Sequence, residues 1–165
     1  MNLDPAWPTL VEPNLRSWIR KGQAYSIIYG QTVGAAGNGN YGISLFNPAN
    51  SGKELYVFSI KGTTNFSSTN YMTVATTSTD PNYNTPVTPI NMRSDIVTPS
   101  VANVTADSAS ISAPNTGVIE LYNNADFFAY YGYLLTPGHG LVVVTFVNNS
   151  QQYNLGMKYA EFIGV

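Results

Sequence analysis

The stretch "YGISLFNPANSGKELYVFSIKG", residues 41–62, contains two apolar runs separated by a group of turn-forming residues. The dipeptides Asn47-Pro48 and Ser51-Gly52 favour a turn, because Pro fixes φ, Gly tolerates positive φ, and Asn and Ser side chains bond to nearby backbone. The run that follows, from Leu55 to Ile60, is β-branched and aromatic, which favours a strand. The stretch therefore predicts a strand, a turn and a second strand.

The Gly52-Lys53 step within this turn has a superficial likeness to a phosphate-binding loop. A Walker A loop needs a glycine five positions before its Gly-Lys step, a Ser or Thr after the Lys, and a helix that follows. Asn47 occupies the glycine position, Glu54 follows the lysine, and the next segment favours a strand. A carboxylate beside the lysine would also repel phosphate. We therefore expect no nucleotide cofactor and no other cofactor at this turn.

The same pattern of short runs separated by turn residues continues from Gln23 to the end of the chain, and no long helical pattern competes with it. This pattern is typical of an all-β sandwich or barrel, here with about eight or nine strands. The predicted strands cover residues 24–29, 41–46, 54–60, 71–77, 101–112, 118–122, 127–135, 141–147 and 153–162.

The run "ELYVFSI" is apolar on both of its predicted faces. Side chains alternate along a strand, which places Leu55 and Val57 on one face and Tyr56, Phe58 and Ile60 on the other. A strand that is apolar on both faces is covered on both sides, so this one is predicted to be a central strand or to lie at a subunit contact.

Two later segments have a different character. Residues 101–112 are mostly small and polar, with Ala102, Val104 and Ala106 on one face, which suits an edge strand or a tightly packed interface. Residues 79–99 contain four prolines, which are too many for a continuous central strand. We predict a long, semi-rigid loop there, and long ordered loops usually make contacts.

The first 22 residues differ from the rest and divide the chain into an N-terminal arm, residues 1–22, and a single β domain, residues 23–165. Three prolines interrupt regular structure in the arm. The stretch "PNLRSWIRKG" predicts one or two helical turns that begin at Pro13 and end at Gly22.

The aromatic and arginine residues of the chain are its predicted interface anchors. Trp and Arg are favoured at protein interfaces, and Tyr combines a large apolar face with a polar tip. The segment "DFFAYYGYLL", residues 126–135, could bury against a neighbouring subunit, stack on sugar rings, or fill the core and rim of the sandwich. The candidate interface residues are Trp7, Arg16, Trp18, Arg20, Tyr130, Tyr131 and Tyr133.

The composition argues against most enzymatic and metal sites. The chain has no cysteine and one histidine, so thiolate metal sites and sites with several histidines within one chain are excluded. His139 lies between two glycines and is interpreted as a polar turn residue. The nine acidic residues are dispersed, with no calcium-loop spacing and no evident acid and base pair. We predict a protein that is not an enzyme and has no metal site.

Charge and hydropathy exclude two further classes of partner. Seven basic residues against nine acidic ones give a net charge of −2, and no basic stripe alternates with aromatic residues. Binding to a phosphate backbone therefore has little electrostatic support, and we expect no nucleic-acid partner. No run of eighteen apolar residues occurs, so we expect a soluble protein and no membrane partner.

Two segments together resemble accessory virion proteins of tailed bacteriophages. The first is "SLFNPANSGKELYVFSI", in which an Asn-Pro-x-x-Ser-Gly-Lys hairpin opens into a strand. The second is "LLTPGHGLVVVTFVNNSQQYNLGMKYAEF", in which a Pro-Gly turn leads to the last two strands. The positions that carry the resemblance are Asn47, Pro48, Ser51, Gly52, Lys53, Pro137, Gly138, Tyr159, Glu161 and Phe162.

The resemblance implies a jelly-roll-like β-sandwich, commonly a homotrimer, that binds capsid or other virion proteins. On this basis we expect a non-enzymatic virion structural protein, most plainly a phage capsid decoration or minor capsid protein, assembled in the host cytoplasm. One alternative is a single jelly-roll protein that itself forms the shell. Another is a carbohydrate-binding or receptor-binding module of the adsorption apparatus, with a glycan as partner.

Overall fold

The computed structural model describes residues 7–32, 39–64, 72–107, 118–122, 126–129, 132–147 and 151–163, with the side chains of residues 7–13, 64, 118–122 and 126–129 left out. One helix precedes a series of strands. In chain order the elements are α1 (Trp7–Arg20), β1 (Ala24–Thr32), β2 (Gly39–Phe46), β3 (Lys53–Thr64), β4 (Met72–Thr77), β5 (Thr85–Pro86), β6 (Ile90–Asn91), β7 (Asn103–Ala106), β8 (Val118–Tyr122), β9 (Asp126–Ala129), β10 (Tyr133–Leu135), β11 (Gly140–Val147) and β12 (Gln152–Ile163).

The strands form two antiparallel sheets. In sheet A the order is β10-β3-β12-β1-β6. The strand β9 also pairs with β3, next to the part of β3 that pairs with β10. In sheet B the order is β5-β7-β2-β11-β4-β8. Buried residues of both sheets form one hydrophobic core between them. The prediction of an all-β sandwich is therefore confirmed. The predicted run at 127–135 is two strands, β9 and β10, and the run at 101–112 contributes β7.

The core between the sheets combines aliphatic side chains with tyrosines. Ile27, Leu155 and Met157 of sheet A are buried together with residues of sheet B such as Ile43 and Val143. β11 is buried along nearly all its length, which agrees with its continuous apolar sequence. Burial on both faces makes β11 a central strand of sheet B.

A bulge in β3 changes the predicted facing of one residue. The register with β12 pairs Ser59 with Lys158 and Val57 with Tyr159, which leaves Phe58 as the extra residue. A bulge shifts the alternation of side chains by one position. Ile60 therefore joins the core, and the prediction that it shares a face with Tyr56 and Phe58 was wrong.

The helix α1 is longer than its sequence pattern predicts, because it spans Trp7–Arg20 and contains Pro13 instead of beginning there. Its C-terminus is as predicted. Gly22 has a φ of 67°, its N–H donates to Ile19 O at 2.9 Å, and the Gln23 N–H donates to Trp18 O at 2.9 Å. These are the two hydrogen bonds of a Schellman motif, which needs a residue in the left-handed region. Among the described residues no helix is long and apolar enough to cross a membrane.

The proline-rich loop, residues 79–99, crosses from one sheet to the other along an edge of the sandwich. Its first short strand, β5, pairs with β7 of sheet B, and its second, β6, pairs with β1 of sheet A. The Tyr83 N–H donates to Thr105 Oγ1 at 3.0 Å, and the Met92 N–H donates to Ala24 O at 2.9 Å. The expectation that this loop makes ordered contacts is met.

Candidate functional site

The outer face of sheet A, which points away from the core, is covered at one end by α1. Trp18 projects from the helix onto three aromatic rings of β3 and β12. Its ring centroid lies 5.7 Å from that of Tyr56, 5.8 Å from that of Phe58 and 5.4 Å from that of Phe162. The Tyr56 and Phe162 contacts are edge-on, a favoured geometry for aromatic pairs. This Trp18 cluster fixes the helix on the sheet.

The C-terminus of α1 is held from a second side by the proline-rich loop. Asn91 Nδ2 donates to Gly22 O at 2.9 Å, and Arg93 Nη1 donates to Arg20 O. A cation at a helix C-terminus interacts favourably with the helix dipole. Arg93 also pairs with Asp95 at 2.7 Å, and this hydrogen bond holds the pKa of the Asp95 carboxyl below its ordinary value. The helix end is thus fastened to both the sheet and the loop.

The described residues leave the other end of the outer face open, and it contains a hollow of about 470 Å³. Its floor is Gly156 of β12, which stands directly between Lys61 of β3 and Ile28 of β1 in the strand register. Glycine has no side chain, whereas its two neighbours have long ones. The hollow therefore exists because Gly156 has no side chain, whereas the side chains of Lys61 and Ile28 on either side of it project from the sheet.

The rows on either side of Gly156 are polar. On one side Asn154 stands between Thr63 and Gly30, and on the other Lys158 stands between two serines, Ser59 and Ser26. Asn154 packs closely on Gly30, because a Cβ at Gly30 would lie 2.1 Å from Asn154 Oδ1. The rim of the hollow thus combines hydroxyl, amide and ammonium groups.

The two lysines of the hollow are exposed and lack ionic partners in the described part of the chain. The ion pairs there are Lys53–Glu161 and Arg93–Asp95, and neither involves Lys61 or Lys158. In the strand register Asp126 of β9 stands opposite Thr63, on the side of the hollow away from Lys158. The described side chains of the hollow therefore carry positive charge, on an otherwise weakly charged protein.

Sheet A also has an open edge beside the hollow. β6 covers β1 only opposite Tyr25 and Ser26, so residues 27–30 pair on one side alone among the described strands. The sequence of β1, AYSIIYGQT, has no charged residue and no proline. Two isoleucines at this edge are largely exposed: Ile28 is 71% exposed and Ile90 is 70% exposed. Exposed edges usually carry charges, prolines or bulges that prevent pairing with another chain, and this edge has none of them in the described residues.

The turn at 47–52 is joined to a second turn by the hydrogen bonds of Asn47. Asn47 Nδ2 donates to Lys53 O at 2.8 Å and to Leu135 O at 2.9 Å. The Asn47 N–H donates to His139 O, and its carbonyl accepts from the Gly138 N–H, at 2.9 and 2.8 Å. The predicted turn is confirmed, and the two segments that carry the phage resemblance are in direct contact through Asn47.

His139 is exposed and lies in the second of these turns. Its Nδ1 lies 3.1 Å from Thr136 Oγ1 and 3.3 Å from Pro137 O, both within its own turn. Among the described residues no group of three or more potential ligands could hold a metal ion. These contacts support the interpretation of His139 as a turn residue.

Glu161, by contrast, is a buried carboxylate, with only 2% of its surface exposed. Its Oε1 accepts hydrogen bonds from Ser100 Oγ at 2.6 Å and the Val101 N–H at 2.9 Å, and its Oε2 accepts from Lys53 Nζ at 2.8 Å. Ser100 Oγ also lies 2.6 Å from the Tyr159 hydroxyl. Three donors satisfy the carboxylate, so it fastens the chain after the proline-rich loop to sheet A.

The structure separates the predicted interface residues of the arm. Trp18 is half-buried in its own subunit, while Arg16 and Arg20 on the same helix are exposed. Trp7 begins α1, and its side chain lies outside the described residues. Arg16 and Arg20 therefore remain available to a partner, whereas part of the Trp18 surface is already used within the chain.

Of the predicted tyrosines, Tyr133 is described, and it is likewise not brought together with the arm. Tyr133 lies on β10 opposite Val57 and packs against the core, on the side of sheet A away from Trp18. Tyr130 and Tyr131 fall outside the described residues. Their role as interface anchors stays a prediction.

No family model, no curated protein and no solved structure matches this chain.

Sequence reasoning missed the hollow, although one signal for it is present. In "NLGMK", residues 154–158, Asn154, Gly156 and Lys158 alternate with apolar Leu155 and Met157, which predicts a strand with one polar face and a gap in that face. The contribution of Lys61 and Ile28 could not be predicted, because it depends on the register between three strands.

Proposed function

We propose that the protein is a non-enzymatic structural protein of a tailed bacteriophage particle, a capsid decoration or minor capsid protein that binds to the particle surface and stabilises it. In this proposal the protein is assembled in the host cytoplasm and functions in the virion. Its partners are further copies of itself, in a trimer, and the neighbouring capsid proteins.

The observation that carries the proposal is the unprotected edge of β1. Residues 27–30 offer backbone groups for pairing, and the exposed side chains of Ile28 and Ile90 lie next to them. A soluble β protein that exposes such an edge is prone to pair with another strand, so an edge of this kind favours a chain whose working state is an assembly. The neighbouring strand is that of an adjacent subunit.

Two further features support a structural role. The segments that resemble phage proteins contact one another through Asn47, and their polar groups bond to backbone atoms of the two turns. The most deeply buried carboxylate among the described side chains, that of Glu161, is fully engaged in fastening the fold. Both sets of groups stabilise the sandwich, as expected of a stable structural protein.

The experiment that tests this proposal is the native mass by light scattering over a dilution series. We expect a trimer that persists on dilution. Ile28→Lys places a charge at the open edge and should shift the protein to monomer, while Val97→Lys, at a position that is 96% exposed on the proline-rich loop, should leave the trimer intact. A wild-type monomer at every concentration would contradict self-association, and closed particles formed by the protein alone would indicate a shell protein.

A further inference from the structure

We propose that the hollow around Gly156 is a binding site for a short acidic saccharide, a sugar chain whose rings carry carboxylate or sulfate groups. This goes beyond the structural role proposed above and does not depend on it. A volume of about 470 Å³ falls in the range of small-ligand sites and can take about one or two sugar rings.

The charge of the ligand follows from the two lysines. Lys61 stands opposite Gly156, and Lys158 is two residues further along β12, so the two are diagonal neighbours on one face. Such neighbours lie about 7 to 8 Å apart at the backbone, a distance that two flexible lysine side chains span easily. Both ammonium groups can therefore reach a single anionic group, and charge-assisted hydrogen bonds of this kind are the strong ones.

The saccharide character follows from the other groups of the rim. Ser26, Ser59 and Thr63 offer hydroxyls, and Asn154 offers both an amide donor and a carbonyl acceptor. Groups that can both donate and accept hydrogen bonds suit the hydroxyls of a ligand, because hydroxyls also donate and accept hydrogen bonds. Ile28, 71% exposed at one wall, supplies an apolar surface for the C–H face of a ring.

The alternatives fit less well. Nucleic acid would require a basic field much wider than two lysines on a chain of net charge −2. A neutral sugar would leave both ammonium groups without a counter-charge among the described side chains. An acidic peptide could satisfy the lysines but offers few hydroxyls to the four polar rim residues. The described lining contains no aromatic ring to stack on a sugar, so we expect weak binding that a titration by nuclear magnetic resonance detects.

The test is a titration of the ¹⁵N-labelled protein with three probes: trigalacturonate, a sulfated disaccharide and neutral maltotriose. We expect either or both anionic probes to shift the amide signals of Gly156, Lys61 and Lys158, and the neutral probe to bind at least about tenfold more weakly. The two anionic probes distinguish carboxylate from sulfate. Absence of shifts at the hollow with both anionic probes, or equal binding of maltotriose, would overturn the proposal.

The variants locate the interaction. The double variant Lys61→Gln and Lys158→Gln should weaken binding by about tenfold or more, since each charge-assisted hydrogen bond contributes a comparable factor. Lys21→Gln removes one lysine charge at an exposed position after α1, outside the hollow, and should leave binding unchanged. Replacing both lysines of the hollow by Arg should retain most of the affinity. Equal losses in the Lys21 variant, or a triglutamate peptide that binds as tightly as the best sugar, would refute the site or its saccharide class.

Discussion

The two faces of sheet A belong to the same strands but differ in burial and in the pairing of their polar groups. The inner face carries Tyr25, Tyr153 and Tyr159, each at most 1% exposed, and ends in the satisfied carboxylate of Glu161. The outer face carries the Trp18 cluster at one end and the hollow around Gly156 at the other. On the inner face every named polar group has a partner in the chain, whereas on the outer face two lysines have no ionic partner among the described side chains.

This difference separates residues that serve the fold from residues that serve a partner. A buried polar group without a hydrogen bond is costly, so inner polar groups must be paired within the chain, and their loss is felt as instability. Exposed groups around a glycine floor are solvated and cost little to leave unpaired. Changes to the inner face should therefore lower stability, and changes to the open part of the outer face should alter binding alone.

The largest expected effect comes from alkaline pH acting on the inner tyrosines. Burial raises the pKa of Tyr153 and Tyr159 well above the ordinary value and that of Tyr83 to about 12. Because the unfolded phenols release their protons near pH 10, stability is fully present below that pH and falls above it. Each such tyrosine lowers the free energy of unfolding by up to about 1.4 kcal/mol per pH unit. Urea unfolding at pH 8, 10 and 11 measures the decline.

The phenolate absorbance at 295 nm provides the control for this prediction. Phenols of the unfolded protein ionise near pH 10, and the buried phenols of the folded protein should ionise only as it unfolds. Tyr159→Phe removes one buried phenol, so the decline in stability with pH should become less steep. If all twelve tyrosines titrated together near pH 10 in a protein that stayed folded, the inner face would not be as closed as described.

The inner face was largely predictable from sequence because it is dictated by local pattern. Alternation along residues 153–162 places Tyr153, Leu155, Met157 and Tyr159 on one side, and the structure buries all four. The turn at 47–52 followed from its Asn, Pro, Ser and Gly residues. The bond network of Glu161 could not be predicted, since it joins residues 53, 100 and 161, which are distant in sequence.

The second prediction concerns that network. Glu161→Ala should lower the free energy of unfolding by about 3 kcal/mol, because it leaves the Ser100 hydroxyl and the Val101 N–H without their acceptor. Lys53→Met should cost less, about 1 kcal/mol, since the Lys53 side chain is 33% exposed and two donors to Glu161 remain. Urea denaturation of both variants measures these losses. A Glu161 variant as stable as the wild type would show that the network contributes nothing net.

The outer face was less predictable, because it depends on how strands are aligned. The bulge at Phe58 turns Ile60 from the outer face into the core, which the alternation of "ELYVFSI" does not reveal. The helix that covers this face exceeds the one or two turns predicted from Pro13, since a proline interior to a helix is normally disfavoured. Tertiary contact of Trp18 with three rings compensates for that local cost.

A stability effect smaller than that of Glu161→Ala is expected at the covered end of the outer face. Trp18→Ala removes a half-buried indole and should lower the free energy of unfolding by about 2 kcal/mol, less than for a core tryptophan. Its more specific consequence is local. Hydrogen exchange should show α1 amides losing protection while those of β3 and β12 keep theirs, because the helix contacts the sandwich but does not form its core. Arg16→Ala, on the exposed side of the same helix, should change stability by less than about 0.5 kcal/mol.

Trp18→Ala also distinguishes between two roles of the arm, covering its own sheet and holding neighbouring subunits together. If α1 serves only to cover its own sheet, Trp18→Ala should leave the trimer intact, because the open edge of β1 lies elsewhere on sheet A. If the arm itself holds neighbouring subunits together, undocking the helix should lower the native mass even though the sandwich remains folded. Arg16→Ala and Arg20→Ala then separate the two causes, since both leave the Trp18 cluster in place. A loss of mass in these arginine variants would assign the contact to the exposed side of the helix, and an unchanged mass in all three would leave the edge of β1 as the site of assembly.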